Sequence, residues 1–345
     1  MNAPGAARRP RLVEVAAEAG VSLATVSNVL NNPSRVAPGT RRRVQRVIDE
    51  LGFTRNTMAS ALARGDTRTI GLVVVGLSNS LFVDVARGAQ RTARGEDRTL
   101  HLATAEEDHE LLEAHMASMV GSNVSGLLVA PMADVSAAVR RVRRLGCPVV
   151  LLNYDSADRD CCRVLVDNEQ VGRLAARHLI GLGRRRIAFI GGSDELQPVA
   201  RRRAGIRRAV AEADGVELEE LDVETLEPWS GVEVARALAG RPAASRPDAV
   251  IGVSDLLAMA AISEFRSLGL TVPGDVAVMG CDHNSAAWGG AVPLTSVAME
   301  GDTMGVEGVR LLMREMAESG QEHVHSTVLL EPRLLAKEST LGRSA

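Results

Sequence analysis

Ser22, Ala24, Thr25, Ser27 and Asn28 place small and polar side chains along one short stretch of chain. Val26, Val29 and Leu30 there form an apolar helical stripe. At about 100° per residue, Ala24 and Asn28 point away from that stripe, with Thr25 and Ser27 beside them. Ser22 is a good cap for such a helix. Small side chains permit close approach to another surface. An amide such as Asn28 donates and accepts at once, the pairing that adenine N6 and N7 offer in a major groove. A second polar set, Asn79, Asn153, Asp167, Ser254, Asp255 and Asp282, falls at the ends of short apolar runs. Other chemistry is sparse: there is no P-loop, no G-x-G-x-x-G, no HExxH and no G-x-S-x-G. No carboxylate spacing singles out an acid–base pair. Cys161–Cys162 and His323-x-His325 read as structural or surface residues without a plausible set of metal partners. The expectation is therefore no enzyme, no cofactor and no metal.

The elements that must hold these residues follow from periodicity. Leu12, Val15, Ala16 and Ala19 recur at i, i+3, i+4 and i+7, and Gly20 breaks the helix. The stretch after Ser22 is a second helix, ended by Asn31, Asn32 and Pro33. A third starts near Pro38–Thr40, with Val44, Val47, Ile48 and Leu51 inward and Arg41, Arg42, Arg43 and Arg46 outward. Two short helices joined by a glycine turn, then a third, make a helix-turn-helix, whose second helix enters the major groove. A plain three-helix subdomain with a solvated face is the alternative. Charge favours DNA. Residues 1–68 carry eleven arginines and five acids, whereas the remainder has 29 basic and 38 acidic residues. A basic head on an acidic body suits a polyanion partner.

From Thr69 onward, apolar runs alternate with amphipathic helices. Strands are expected at 70–75, 99–103, 126–130, 148–152, 163–166, 186–190, 249–252, 276–279, 295–298 and 326–330, with helices between most of them. Fully apolar runs such as Ile70–Val75, Gly126–Ala130 and Pro148–Leu152 suit parallel sheets buried on both faces. The alternation implies doubly wound α/β layers, whose ligands sit beyond the carboxyl ends of the strands. The chain has 345 residues, 46% of them hydrophobic, and four cysteines. Such a composition excludes a disulfide scaffold and a disordered chain. No apolar run reaches the ~18–20 residues of a membrane helix, and no apolar stretch follows the N-terminal arginines. A reduced cytoplasmic location is expected.

The run RLVEVAAEAGVSLATVSNVLNNPSRVAPGTRRRVQRVIDELGF resembles the DNA-binding head of the lactose-repressor family of bacterial regulators. Its pattern is present at Val15–Ala16, Ala19–Ser22 and Ala24–Ser27. TRTIGLVV, VDNEQVGRLAARHLIGLGRRRIAFIGG, VPGDVAVMGCDHN, PLTSVAME and PRLLAKEST resemble the family's effector domain, itself similar to periplasmic sugar-binding proteins. The resemblance covers about residues 10–340. It implies base contacts from Leu23, Ala24 and Asn28 and phosphate contacts from Ser22, Thr25 and Ser27. Asn28 stands where arginine is usual, so an operator favouring adenine over guanine at that base is expected; a phosphate or water contact is the alternative.

The resemblance also implies a domain plan. Residues 1–9 are a disordered basic tail and 10–55 the helix-turn-helix domain. Residues 56–68 form a hinge helix and linker, with Asn56, Ala59 and the wedge residue Leu62 at the minor groove; a plain linker is the alternative. The family usually has proline at Arg55 and often arginine at Ser60. Residues 69–340 bind effector and dimerise, as an N-subdomain of about 69–163 and 296–322 and a C-subdomain of about 166–293 and 326–336. The three crossings are expected near 163–168, 292–296 and 322–327. Asn153, Arg202, Ser254 and Asp282 match positions that bind sugar hydroxyls in relatives, with Asn79 and Asp255 as further polar candidates. Phe82, Tyr154, Trp229 and Trp288 are candidates for covering a sugar ring. Asn79-Ser80-Leu81-Phe82 replaces the family's NPFF run and Ile206 its usual aromatic, so a reshaped pocket is expected.

The resulting reading is a regulator, by default a repressor. It binds a pseudo-palindromic operator in double-stranded DNA as a homodimer, under a small-molecule effector and without a membrane partner. A tetramer is not expected, since no C-terminal leucine heptads are present. A protein partner or a nucleobase corepressor is the alternative input, and a free-standing sugar-binding protein the rival that the basic head opposes.

Overall fold

The structure, a computed structural model, describes residues 10–53, 67–282, 292–318 and 323–342. The expected tail 1–9, the hinge residues Asn56, Ala59 and Leu62, and Trp288 lie outside the described residues. Contacts divide the chain into two units, Met1–Thr67 and Arg68–Ala345.

The first unit contains α1 (Leu12–Ala19), α2 (Leu23–Asn31) and α3 (Pro38–Leu51). Glu14 reaches back to accept from the Arg11 N–H at 2.9 Å, closing the first turn of α1. Gly20 ends that helix at φ 62°, a left-handed conformation that lets the Val21 N–H return to the Ala16 carbonyl at 3.0 Å. The turn sets α1 and α2 at 105°, within the helix-turn-helix range. Val15, Ala16, Ala19, Val26, Val29, Val44, Val47 and Ile48 form its buried core. Leu51, expected inward, is 38% exposed. It is the last residue of α3, and Phe53, two residues on, packs against the core.

The second unit holds two six-stranded sheets. The first comprises β1 (Thr69–Val74), β2 (Thr99–Thr104), β3 (Gly126–Val129), β4 (Val149–Leu152), β5 (Cys162–Val166) and β11 (Thr327–Leu330), in the order β11-β5-β4-β3-β1-β2. The second comprises β6 (Arg186–Gly191), β7 (Glu217–Asp222), β8 (Ala249–Gly252), β9 (Ala277–Asp282), β10 (Thr295–Ala298) and β12 (Arg333–Leu335), in the order β12-β10-β9-β8-β6-β7. Every pairing is parallel except β10 with β12. Helices α4 (Ser80–Gly95), α5 (His109–Gly121), α6 (Ser136–Arg144) and α11 (Gly301–Ala317) flank the first sheet. Helices α7 (Asn168–Gly181), α8 (Gln197–Ala211), α9 (Pro228–Ala239), α10 (Asp255–Ser267) and α12 (Glu338–Leu341) belong with the second.

The chain crosses between the sheets after Val166, after Ala298 and after Leu330. The last two crossings fall later than expected. β10 stays in register with β9 as far as Ala298 opposite Asp282, so the strand expected to open the return to the N-subdomain is C-subdomain structure. β11 pairs with β5 from Thr327 opposite Arg163 to Leu330 opposite Val166, so residues 327–330 belong to the N-subdomain, not the C-subdomain. Pro332, with no N–H to give a ladder, stands at the actual crossing. Two strands escaped the sequence reading. β7 (ELEELD) is a charged edge strand held by ion pairs such as Glu219–Arg241, and β12 is three residues long.

Glycines set the closest helix contacts in each subdomain. A Cβ on Gly88 of α4 would lie 2.1 Å from the Asp302 carbonyl oxygen of α11. On Gly172 of α7 it would lie 1.9 Å from the Arg202 carbonyl oxygen of α8. The second contact fixes where Arg202 enters the space between the subdomains.

Candidate functional site

In the first unit, Leu23, Ala24 and Asn28 are exposed, while Val26 and Val29 are buried beneath them. Leu23 is 48% exposed, an apolar side chain held outward next to two small neighbours. Ser22 Oγ accepts from the Thr25 N–H at 3.1 Å and lies 2.9 Å from the Thr25 hydroxyl. This cap orients the first turn of α2, and Thr25 and Ser27 are half-buried beside the exposed face. Arg35, Arg41, Arg42, Arg43 and Arg46 are exposed on the same unit. A short capped helix with a small polar face on a basic unit fits the major groove, with arginines available to phosphates.

In the second unit, a cavity of about 430 Å³ opens between the carboxyl ends of the two sheets. Its size falls within the ~300–1,000 Å³ of small-molecule sites. Asn79, Phe82, Asn153, Arg202, Trp229, Ser254 and Asp282 line it. Helix starts present several of these: Asn79 caps α4 through the Leu81 N–H at 2.9 Å, and Ser254 caps α10 through the Leu257 N–H at 3.3 Å. Two helix N-termini from opposite subdomains thus face the cavity, a setting that favours ligand acceptor groups.

Arg202 is the hub of the cavity floor and is 5% exposed. Its Nε donates to Asn168 Oδ1 at 2.9 Å, one guanidinium nitrogen donates to the Val253 carbonyl, and the same nitrogen reaches Asp282 Oδ1 at 3.5 Å. Asn168 in turn donates to Asn153 Oδ1 at 2.8 Å. Asp282 is 1% exposed and accepts from the Asp255 N–H at 3.3 Å. Its burial pushes the carboxyl up to about 6, against the pull of Arg202 and hydrogen bonds from the Asp255 N–H, Asn79 and Arg202. The Asn79 bond crosses from one subdomain to the other.

Three further lining carboxylates, Glu106, Glu107 and Glu227, were absent from the sequence reading. Glu106 and Glu107 both have positive φ, 48° and 66°, in the turn after β2. Glu107 Oε1 accepts from the Leu226 N–H of the other subdomain at 3.2 Å, and burial with nearby Glu227 raises its pKa. Ser78 Oγ donates to Glu227 Oε1 at 3.5 Å, a second crossing contact at the rim. Trp229 is 57% exposed there, and Phe82 is buried on the floor. The arrangement offers carboxylates and amides to hydroxyl groups and an aromatic face to a ring's C–H surface.

Three expected residues do not line the cavity. Tyr154 is 6% exposed in the apolar cluster on the other side of the first sheet, with Leu151 and Val135. Asn153 takes φ 54° at the strand end, and the next side chain leaves on the opposite face. Asp255 is 7% exposed and spends one carboxylate oxygen on the Ser296 hydroxyl at 2.5 Å. A Cβ on Gly280 would lie 2.3 Å from that oxygen, so the Asp255 side chain packs against β9 and β10. Asp167 caps α7 at the first crossing rather than lining the cavity. The structure also brings Cys162, His323 and His325, read from the sequence as structural or surface residues without metal partners, into one cluster with Glu315, which that reading did not single out.

Residues 11–56 match the model of bacterial regulatory proteins, lacI family, and residues 176–340 match that of the periplasmic binding protein-like domain. The HTH-type transcriptional regulator CelR of Thermobifida fusca is 34% identical across 96% of this chain and 98% of its own. The chain belongs to the lacI family. The HTH-type transcriptional regulator MalR of Streptomyces coelicolor is 33% identical, with 96% of each chain covered. A solved CelR–cellobiose complex superposes with a TM-score of 0.68 at 31% identity, covering 96% of this chain and all of that one. A lacI-family structure from Silicibacter pomeroyi reaches a TM-score of 0.81 at 23% identity, over 96% and 99% of the two chains. This lacI-family member is thus a DNA-binding transcriptional regulator built from a helix-turn-helix head and a periplasmic-binding-protein-like body. No single helix among its described residues is long and apolar enough to cross a membrane.

Proposed function

We propose that this regulator is a cytoplasmic repressor that binds a pseudo-palindromic operator as a homodimer and responds to a sugar-like effector in the cavity. One α2 reads one half-site, so a symmetric pair of heads explains selection of an inverted repeat. Leu23, Ala24 and Asn28 face base edges, Asn28 pairing with adenine, while Ser22, Thr25 and Ser27 contact phosphates. Asn56, Ala59 and Leu62 are assigned to the minor groove. Asn79, Asn153, Arg202, Ser254 and Asp282 hold ligand hydroxyls, with Trp229 and Phe82 against the ring. The cavity binds without turnover: Asp282 is already engaged by Asn79, Arg202 and the Asp255 N–H.

The observation that carries this reading is the buried chain Asn153–Asn168–Arg202–Asp282 beside an exposed Trp229. Its polar groups are pre-positioned by neighbours, and its aromatic is free to stack. The CelR complex with cellobiose makes glucosides the first compounds to try. Calorimetry of the full chain against cellobiose, maltose, monosaccharides and purine bases should give saturable heat for a sugar and none for the bases. Heat from a base alone, or none from any sugar alongside pull-down of a carrier protein, overturns the effector assignment. Selection from random duplexes should return an inverted repeat, and Asn28→Arg should shift one base in each half-site from adenine toward guanine. A deletion strain losing target expression overturns repression.

A further inference from the structure

The geometry points to a transition-metal site of the zinc class in the N-subdomain, formed by Cys162, Glu315, His323 and His325, on the opposite side of the first sheet's strand ends from the cavity. Cys162 opens β5, Glu315 lies in the last turns of α11, and the two histidines sit on the segment leading into β11. The four ligand atoms lie within 4.8 Å of one another. Cys162 Sγ is 3.2 Å from His323 Nε2 and 3.8 Å from His325 Nδ1. Glu315 Oε2 is 3.7 Å from His323 Nε2 and 3.9 Å from His325 Nδ1. A tetrahedral ion with bonds of ~2.0–2.3 Å spaces its ligands ~3.3–3.8 Å apart. The cluster therefore needs only small shifts to close on one.

An ordinary hydrogen-bonded cluster does not account for this arrangement. The Glu315 side chain is 7% exposed and its Oε2 is buried with no hydrogen-bond partner. The two nitrogens facing it are beyond hydrogen-bond distance. A buried carboxylate oxygen left in this way carries its full desolvation penalty. A cation between the four groups would satisfy it. Neighbours also orient the ligands. His323 Nδ1 donates to Glu318 Oε2 at 2.6 Å, which leaves Nε2 with its lone pair toward Cys162, the carboxylate–histidine arrangement of metal sites. Arg143 donates to Glu315 Oε1 at 2.6 Å and leaves Oε2 for the ion. The Ser326 N–H donates toward Cys162 Sγ at 3.5 Å and helps hold the sulfur in place.

Charge balances on loading. The Cys162 thiolate, Glu315 and Glu318 carry three negative charges, against Arg143 and a divalent ion. Arg143 has only donors, so its 3.1 Å contact makes His325 Nε2 the acceptor and puts the proton of a neutral ring on Nδ1. Loading releases the thiol proton and moves the imidazole proton to Nε2, so Arg143 gives up that contact and keeps Glu315. Sulfur with two imidazoles selects Zn²⁺-like ions over Mg²⁺ or Ca²⁺. The ion would tie α11, β5 and the approach to β11 together, bracing the returning segment of the N-subdomain.

The test uses untagged full-length protein dialysed against a chelator and titrated with Co²⁺, then Zn²⁺. One equivalent of Co²⁺ per chain should give the intense visible bands of a tetrahedral site and a thiolate-to-metal charge-transfer band, both lost when Zn²⁺ displaces it. Cys162→Ser should abolish the charge-transfer band, while Cys281→Ala, far from the cluster, keeps it. Glu318→Gln should weaken binding about 10–100-fold. Sub-stoichiometric uptake, a purely octahedral spectrum in the unaltered protein, or a charge-transfer band surviving in Cys162→Ser overturns the site. The unaltered protein's spectrum decides even if a variant fails to fold.

Discussion

Asp282→Asn sets two opposing forces on the cavity floor against each other. Burial disfavours the charged carboxylate, while Arg202 at 3.5 Å favours it. Burial wins, raising the group from its ordinary 3.8 to about 6. In the unfolded chain the carboxyl ionises above 3.8, whereas the folded protein keeps the proton to about 6. Between those values the folded state binds the extra proton, so stability falls as pH rises. The rise from 3.8 to about 6 is worth roughly 3 kcal/mol of stability absent at neutral pH. Linkage returns roughly half of this at pH ~5 and approaches the full amount only below pH ~3.8. Asparagine has the same shape and no titration. Urea unfolding of both proteins at pH ~7.5 and ~5 should therefore show the original chain gaining on the order of 1 kcal/mol on the variant as pH drops. Sugar binding should be lost in the variant at both values. A stability difference that ignores pH, or that moves toward the variant on acidification, refutes the reasoning. The second result would mean that the Arg202 attraction prevails and the carboxyl lies below 3.8.

Gly172→Ala places a Cβ 1.9 Å from the Arg202 carbonyl oxygen, so the α7–α8 contact must open. Overpacking of this kind costs about 1–3 kcal/mol, and calorimetric ligand affinity should fall with it because Arg202 moves; an unchanged melting curve contradicts the close-contact argument. Trp229→Ala removes a side chain that is 57% exposed, so stability should stay within ~0.5 kcal/mol while sugar affinity drops roughly tenfold. Equal affinity by calorimetry would remove Trp229 from the site. Ser22→Ala leaves the Thr25 N–H uncapped and should lower head-domain stability by about 1 kcal/mol in urea unfolding. Ser22→Asp keeps a cap but repels phosphate, so fluorescence anisotropy should show weaker DNA binding with stability retained; unaltered binding by Ser22→Asp argues against a phosphate contact.

Much of the fold is written in local pattern. β1, β3 and β4 are buried on both faces and appear as unbroken apolar runs. α3 carries its arginines on one side and Val44, Val47 and Ile48 on the other. The charged edge strand β7 has no such pattern, because its stability comes from pairing with β6 and from ion pairs formed at long sequence separation. The two misplaced crossings fail for a related reason: Leu330 could join either sheet by composition, and only register with Val166 decides. Strand ends predicted five lining residues (Asn79, Asn153, Ser254, Asp282 and, through the family motif, Arg202), because doubly wound sheets converge there. Tyr154 fails because the chain turns at Asn153 and sends it to the opposite face of the sheet, and Asp255 because, as the first residue of α10, it turns back to Ser296. Glu106 and Glu107 carried no signal beyond a polar turn; their left-handed backbone conformation is what turns them toward the cavity.

The cavity's contacts also indicate how a ligand could act on the body. Asn79 reaches Asp282, Glu107 reaches the Leu226 N–H, and Ser78 reaches Glu227, each joining one subdomain to the other. All six residues line the cavity. A ligand that enters must replace or supplement these bonds, and so it binds more tightly to one spacing of the subdomains than to another. That difference in affinity is the only quantity by which it can shift the equilibrium between the two spacings. The covalent crossings after Val166, Ala298 and Leu330 are short, so relative motion is confined to those three points and the rim contacts. Glu107 tests the idea without touching the floor. Glu107→Gln keeps the acceptor for the Leu226 N–H and removes the repulsion with Glu227, so it should favour the closed spacing. Glu107→Ala removes the acceptor and should favour the open one. If ligand affinity responds to both variants in the same direction, the crossing contacts do not set the spacing.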